Sequence, residues 1–345
     1  MRLRIAQVGP VATSTPPPRS GSVETMTSLL TEGLVARGHA VTLFATGDST
    51  TKAELHALYP VGYWHDESMW PWELYEMLNL AAAVERARDF DLIHYQAAYY
   101  PMSLAFARLT ATPIVQTLHH APSAAEVGLW ARYPEAPFVA ISGEQARLLA
   151  GINVVDTVLH GIDTDAFTYR ADPDDYLLFL GRFTEGKGVL QAIEVAKRVG
   201  MKLVLAAADE PYYREHVAQH VDGERVVYFG EADFAAKVAL FGGARALIYP
   251  VQSPEPFGLV LAEAMACGTP VAALAKGAVR ELVDEGVTGH AFEDLDALVA
   301  GLDRVLALDR AAVRARAVAR FGADRMVDQY EAVYRRIVAG RGAGV

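Results

Sequence analysis

Short apolar runs alternate with segments whose apolar residues recur at helical spacing along nearly the whole chain. The runs at 4–9, 40–45, 91–95, 113–117 and 138–141 read as strands. Between them, 22–37, 73–88, 101–109 and 141–151 read as helices. Gly38 closes the first of these, while Ser142 caps the start of the last and Gly151 lies past its end. The stretch 50–71 follows neither period and is rich in aromatic residues. Residues 160–175, HGIDTDAFTYRADPDD, are polar and turn-rich and break the rhythm. A second series follows, with strands at 176–180, 202–206, 225–229, 246–250 and 270–274 and helices at 188–199, 211–221, 233–241 and 257–266. The Arg/Ala-rich end, 309–345, reads as helices with a solvated charged face.

Such alternation predicts an α/β protein built on parallel sheets with helices on both faces. Two series around one turn-rich break predict two Rossmann-like β/α/β domains, 1–165 and 166–321, facing across a cleft. Ligands are then expected at the C-terminal ends of strands, where helix N-termini point.

Composition narrows the partners. The chain has 345 residues, 52% hydrophobic and 21% charged, enough for two cores. A formal net charge of −11 argues against nucleic acid and anionic membrane surfaces. The single cysteine, Cys267, excludes an intrachain disulfide framework and fits a reducing compartment. No signal peptide or membrane span is legible, so a soluble cytoplasmic protein is expected.

Candidate chemistry begins at LFLGRFTEGKG, 178–188. Gly181, Gly186 and Lys187 approach the spacing of a nucleotide-binding P-loop, but Gly188 stands where the Mg²⁺-binding Ser or Thr belongs. What remains is a loop with two cations, Arg182 and Lys187, ahead of a helix start, an arrangement suited to a diphosphate without metal. Taken alone it reads better as a turn with two solvated charges. A second constellation, SPEPFGLVLAEAMACGTPVAA, 253–273, places Glu255 and Glu263 in a Glu-x7-Glu pattern around Gly258 at a helix start. Eight helical residues rise about 12 Å, so the carboxylates reach separate parts of one elongated ligand. Gly258 and Leu259 offer backbone N–H groups between them.

Together, LGRFTEGKG and EPFGLVLAEAMACGTPV resemble the donor-binding half of family-4 retaining glycosyltransferases of the GT-B fold. GSVETMTSLLTEGLVARGHAVTLFATGDS, DLIHYQ, IVQTLHHAP, FVAISGEQ and VLHGIDTDAF resemble the matching family segments in order, so the likeness covers nearly the whole chain. The resemblance implies that Arg182 and Lys187 bind the donor diphosphate, that Glu255 meets donor-sugar hydroxyls, that the backbone of Phe257, Gly258 and Leu259 holds sugar or phosphate oxygens, and that Glu263 binds the ribose diol. It implies that His119, in Thr117-Leu118-His119, faces the sugar near the reacting carbon, with His120 left aside. Gly21 matches the first glycine of the family's G-G-x-E loop, but Ser22 replaces the second and a triple proline, 16–18, precedes it. Gly230 falls near the expected base pocket. The final helix, 322–345, is expected to pack back onto the first domain.

The implied reaction is transfer of a hexosyl unit from a nucleoside diphosphate sugar, a UDP-hexose favoured over GDP-mannose, to a hydroxyl of a soluble small-molecule or saccharide acceptor, with retention. No metal or other cofactor is implied. Asp163 and Asp165, which superficially form a D-x-D site, read as turn and cap residues. The aromatic residues of 59–75 and 95–100 read equally as acceptor-stacking rings or as loop packing, and their acidic surroundings argue against a lipid surface. A same-fold phosphorylase, a nucleotide-sugar epimerase or hydrolase, and a non-catalytic nucleotide-sugar-binding protein remain as rivals.

Overall fold

A computed structural model describes residues 1–342, with side chains through 340. The chain divides into two units: Met1–Gly161 together with the segment from Ala323 onward, and Ile162–Gly322. The first crossing thus falls at 161/162 rather than at the expected 165/166. Ile162 is already tied into the second unit: its N–H donates to the Phe321 carbonyl at 2.7 Å and it bridges Gly322. Residues 343–345 of the expected terminal helix lie outside the described residues.

In unit 1, β1 (Arg4–Val8), α1 (Ser22–Ala36), β2 (Ala40–Phe44), β3 (Glu54–His56), α2 (Trp72–Glu85), β4 (Leu92–Ala97), β5 (Ile114–Leu118), α3 (Ala124–Trp130), β6 (Phe138–Ala140), α4 (Gly143–Leu148) and β7 (Val154–Thr157) follow one another. The seven strands are all parallel, in the order β3-β2-β1-β4-β5-β6-β7. Three elements of unit 1 fall outside the expected series: β3 inside the irregular 50–71, α3 and β7. Each is short, and β3 and β7 carry too little period-2 alternation to register. The helix expected at 101–109 is only a 3₁₀ turn, Met102–Ala105. Ser142 caps α4 as expected, its hydroxyl accepting from the Gln145 N–H at 3.0 Å.

Unit 2 holds β8 (Leu177–Leu180), α5 (Val189–Val199), β9 (Leu203–Ala206), β10 (Val226–Gly230), α6 (Phe234–Gly243), β11 (Ala246–Tyr249), α7 (Leu259–Ala266), β12 (Val271–Leu274), α8 (Val279–Leu282), β13 (Gly289–Phe292), α9 (Leu295–Leu306) and α10 (Arg310–Phe321). Its six parallel strands run β10-β9-β8-β11-β12-β13. The helix expected at 211–221 resolves into a π turn, Tyr213–Val217, and a 3₁₀ turn, Ala218–His220. α8, β13 and α9 also fall outside the expected series. The final helix, α11 (Ala323–Gly342), belongs to unit 1. It lies against α1, so closely that a Cβ on Gly33 would fall 2.5 Å from Val327.

Each sheet reverses its winding next to its first strand, between β1 and β4 in unit 1 and between β8 and β11 in unit 2. Crevices for ligands form at such points, because the loops leaving the two strands diverge to opposite faces. No helix among the described residues is long and apolar enough to cross a membrane.

Candidate functional site

At the switch point of unit 2, the loops after β8 and β11 meet. Thr184 caps the 3₁₀ turn Glu185–Lys187, its hydroxyl accepting from the Lys187 N–H at 3.3 Å. Gly188 then takes φ +76°, and a Cβ there would lie 2.0 Å from the Pro250 carbonyl oxygen. The residue that spoils the P-loop pattern is therefore glycine because the two loops touch there. This contact carries Lys187 to Glu255: Nζ stands 2.6 Å from Oε2. The Tyr249 hydroxyl, at the end of β11, donates to the same carboxylate oxygen. Burial and the neighbouring Glu255 carboxylate push the Tyr249 phenol well above its ordinary range, so it stays a donor.

Glu255 is only 7% exposed. It precedes α7 rather than lying within a continuous helix, so the 12 Å rise expected between the two glutamates does not apply. Gly277 packs against its backbone, and the Ala278 N–H donates to its carbonyl at 2.8 Å. Gly258, at φ +97°, then turns the chain into α7. Buried Phe257 anchors that turn, and the first N–H groups of α7, Leu259 among them, have no acceptor within the helix.

Glu263 stands apart from this cluster, paired with Lys237 of α6 at 2.7 Å. That ammonium lies 5.4 and 5.5 Å from the ring centres of Phe167 and Phe234. Arg182 is exposed just past β8 and has no side-chain partner among the described residues. Gly230 ends β10 at φ +96°, beside a register shift in the pairing with β9. Unit 2 thus brings Lys187 and Glu255 into contact, gives Glu263 a separate partner, and leaves Arg182 and Gly230 at strand ends.

Unit 1 holds Gly21 and His119. Gly21, at φ +153°, precedes α1; a Cβ there would lie 2.8 Å from both Pro17 and the Glu24 carboxylate. Ser22 is the exposed first residue of the helix. His119 follows β5, in a loop held by Gln145, whose amide donates to the carbonyls of Leu118 and His120 at 2.9 and 2.8 Å. Its Nε2 donates to Gln96 Oε1 at 2.9 Å, which leaves Nδ1 bare of hydrogen in the neutral ring. Its ring stacks on His160, centroids 5.1 Å apart. Burial, with the nearby His120, pushes its pKa down to about 3.

Behind it runs a buried chain of polar groups. The Gln96 amide donates to His94 Nδ1 at 3.3 Å, and the Tyr334 hydroxyl donates to the same nitrogen at 2.6 Å. His94 Nε2 then donates to Thr117 Oγ1 at 2.9 Å, and Thr117 meets the Tyr330 hydroxyl at 2.9 Å. Burial holds His94, too, near about 3. His120 pairs instead with Glu126 at 3.3 Å, inside the capping box of α3. Asp163 is a turn residue, as expected, accepting from the N–H groups of Asp165 and Ala166.

The model for the glycosyl transferases group 1 matches residues 163–320, and that for glycosyltransferase family 4 matches 23–166. The phosphatidyl-myo-inositol mannosyltransferase of Mycolicibacterium smegmatis is 30% identical over 270 residues, covering 70% of this chain and 68% of that one. The chain belongs to the family-4 glycosyltransferases of the GT-B fold. Among solved structures, sucrose-phosphate synthase from Thermosynechococcus elongatus matches with a TM-score of 0.78 at 21% identity, over 98% of this chain and 100% of that one. Anabaena HepE in complex with UDP and glucose matches with a TM-score of 0.72 at 15% identity, over 97% and 100%. At these identities the structures establish the fold.

Sequence reasoning missed two side chains that this glycosyltransferase places against its glutamates, Tyr249 and Lys237. Lys237 had a signal, as the one charge in the apolar helix FAAKVALFGG. Tyr249 had only its place before Pro250 at the end of a strand. Gln96, which sets the tautomer of His119, had none. Glu255 and Glu263 each stand beside one ammonium, Lys187 and Lys237, and their carboxylate oxygens are hydrogen-bond acceptors.

Proposed function

We propose that this glycosyltransferase moves a hexosyl unit from a nucleoside diphosphate sugar to a hydroxyl of a soluble acceptor, keeping the anomeric configuration and using no metal. The observation that carries the reading is the meeting of Lys187 and Glu255 at the switch point of unit 2. A cation and a hydroxyl-accepting carboxylate stand there beside the N-terminus of α7, and Arg182 leaves the adjacent strand. A diphosphate at this point meets Arg182, Lys187 and free N–H groups, which stabilise the charge that grows on it as the bond to the anomeric carbon breaks. Glu255 receives donor-sugar hydroxyls and Glu263 the ribose diol. Phe257 to Leu259 supply backbone contacts, and Gly230 lies by the base.

The acceptor oxygen attacks from the side that the diphosphate leaves, forming the new C–O bond as the old one breaks. The acceptor proton passes to a diphosphate oxygen. On the family resemblance we assign His119, neutral and aimed by Gln96, to the donor sugar and Gly21 to the diphosphate. HepE, crystallised with UDP and glucose, supports a UDP-hexose, whereas the Mycolicibacterium smegmatis relative, a mannosyltransferase by name, supports a mannosyl donor such as GDP-mannose, which the sequence reading kept as the second choice. We favour the UDP-hexose.

Binding and slow hydrolysis of UDP-glucose, UDP-N-acetylglucosamine, GDP-mannose and ATP, beside Arg182→Ala and Glu263→Ala, test the reading. One sugar nucleotide should bind, and both variants should lose it. Preference for ATP, or an inverted product once an acceptor is found, would overturn it.

A further inference from the structure

The loop after β3 is drawn onto the loop after β1. The Tyr63 and Trp64 N–H groups donate to the carbonyls of Val11 and Ala12 at 3.1 and 3.0 Å. Gly62 permits this approach, since a Cβ there would lie 2.3 Å from the Ala12 oxygen. Trp72 opens α2, and Tyr99 follows β4. The loop after β3, the start of α2 and Tyr99 form an open pocket of about 460 Å³ within unit 1, lined by Tyr63, Trp64, Trp70, Trp72, Tyr99 and Glu67. Its size lies within the roughly 300–1,000 Å³ of small-molecule sites. Its lining comes from the loop after β3, the start of α2 and Tyr99 after β4, and the loop after β1 holds the β3 loop in place through Val11 and Ala12.

The rings are held rather than loose. Trp72 packs on Tyr63 and Tyr99, centroids 5.7 and 5.5 Å apart. The Tyr63 hydroxyl reaches the buried Glu76 carboxylate, which also accepts the Val11 N–H at 3.0 Å. Trp64 and Trp70, in contrast, are 55% and 74% exposed, showing their faces to solvent at the rim.

We propose that this cavity binds an uncharged saccharide ring as the acceptor, stacked on Trp72 and Trp64 with a hydroxyl donated to Glu67. Aromatic faces suit the C–H face of a sugar, and a carboxylate oxygen suits its hydroxyl edge. No lining residue is cationic, and Glu67, Asp66 and Glu73 make the surroundings acidic, so a phosphorylated acceptor or an anionic lipid headgroup has no counter-charge here. The word "acceptor" rests on the transferase reading above; the saccharide site itself does not.

Tryptophan fluorescence and saturation-transfer NMR on the full chain test this, with maltose, cellobiose, trehalose and methyl α-mannoside against glucose 6-phosphate and phosphatidylinositol vesicles. At least one neutral sugar should bind saturably. Trp64→Ala and Trp72→Ala should weaken it about tenfold or more, and Glu67→Gln by a smaller factor. Trp72→Phe, which keeps the packing on Tyr63 and Tyr99, should retain part of the affinity. Sugar-nucleotide binding should be unchanged in all four. Binding of no neutral sugar, tighter binding of the phosphate or the vesicles, or sugar binding indifferent to the tryptophan variants would overturn the proposal. Neutral-sugar binding by a protein that takes no sugar nucleotide would leave the cavity assignment standing and refute the transferase reading instead.

Discussion

Lys187 Nζ lies 2.6 Å from Glu255 Oε2, although 68 residues separate them in sequence. The carboxylate is buried and the ammonium partly so. Lys187→Met leaves Glu255 without its counter-charge, and unit 2 should lose roughly 1–3 kcal/mol of stability in urea denaturation. Adding Glu255→Gln should return part of that loss, because the orphaned charge is gone. A single variant as stable as the parent would mean the pair contributes nothing to the fold.

The separate pairing of Glu263 makes a different test possible. If this carboxylate receives a ribose diol, UDP should bind about tenfold more tightly than 2′-deoxy-UDP, and Glu263→Gln should erase most of that difference. Equal discrimination in the variant would move the ribose elsewhere. Calorimetric titration reads both.

Gly188 and Gly200 share nearly the same backbone conformation, at φ +76° and +72°, with different surroundings. Gly188 abuts the Pro250 carbonyl, whereas a Cβ on Gly200 would meet nothing within 4 Å. Gly200→Ala should cost about 1 kcal/mol, from backbone strain alone. Gly188→Ala should cost at least roughly 2 kcal/mol and also displace Lys187. Comparable denaturation midpoints for the two would show that the loops give way easily.

Acid should weaken unit 1 through its histidines. Burial holds His94 and His119 near about 3 and His160 well below its ordinary value, all under the unfolded value of about 6.5. The unfolded chain therefore binds more protons in this window, and stability falls as pH drops from about 6.5 toward 3. His94→Gln should flatten that limb in thermal melts across pH. His119, neutral throughout the physiological range, should add no titration near pH 6–7 to the rate profile.

Base should weaken the same unit through two carboxyls. Burial raises Glu24 to about 7 and Glu76 to about 8, above the 4.5 of an unburied glutamate. Here the folded state binds the extra protons, so stability falls as pH rises from about 4.5 through 8. Glu76→Gln retains an acceptor for the Val11 N–H and cannot ionise. It should be more stable than the parent at pH 8.5 and show a shallower slope; an unchanged slope would remove Glu76 as the cause.

By itself the sequence determined the α/β class, the family, and most strands and helices of both sheets. Runs such as LLFL and ALIY and the amphipathic α5 are local patterns, set by which residues must leave water. Lys187, Glu255 and Glu263 were legible as candidates because glycines and helix starts mark their loops. The tertiary structure alone decided which of these side chains meet. Parallel strands adjacent in a sheet come from distant stretches of chain, so the contact of Lys187 with Glu255, the pairing of Glu263 with Lys237, and the hold of Gln96 on His119 depend on strand order, which no local period encodes. The same holds for the cavity around Trp72, whose rings come from the loops after β3 and β4 and from the start of α2 and converge only in the folded unit 1.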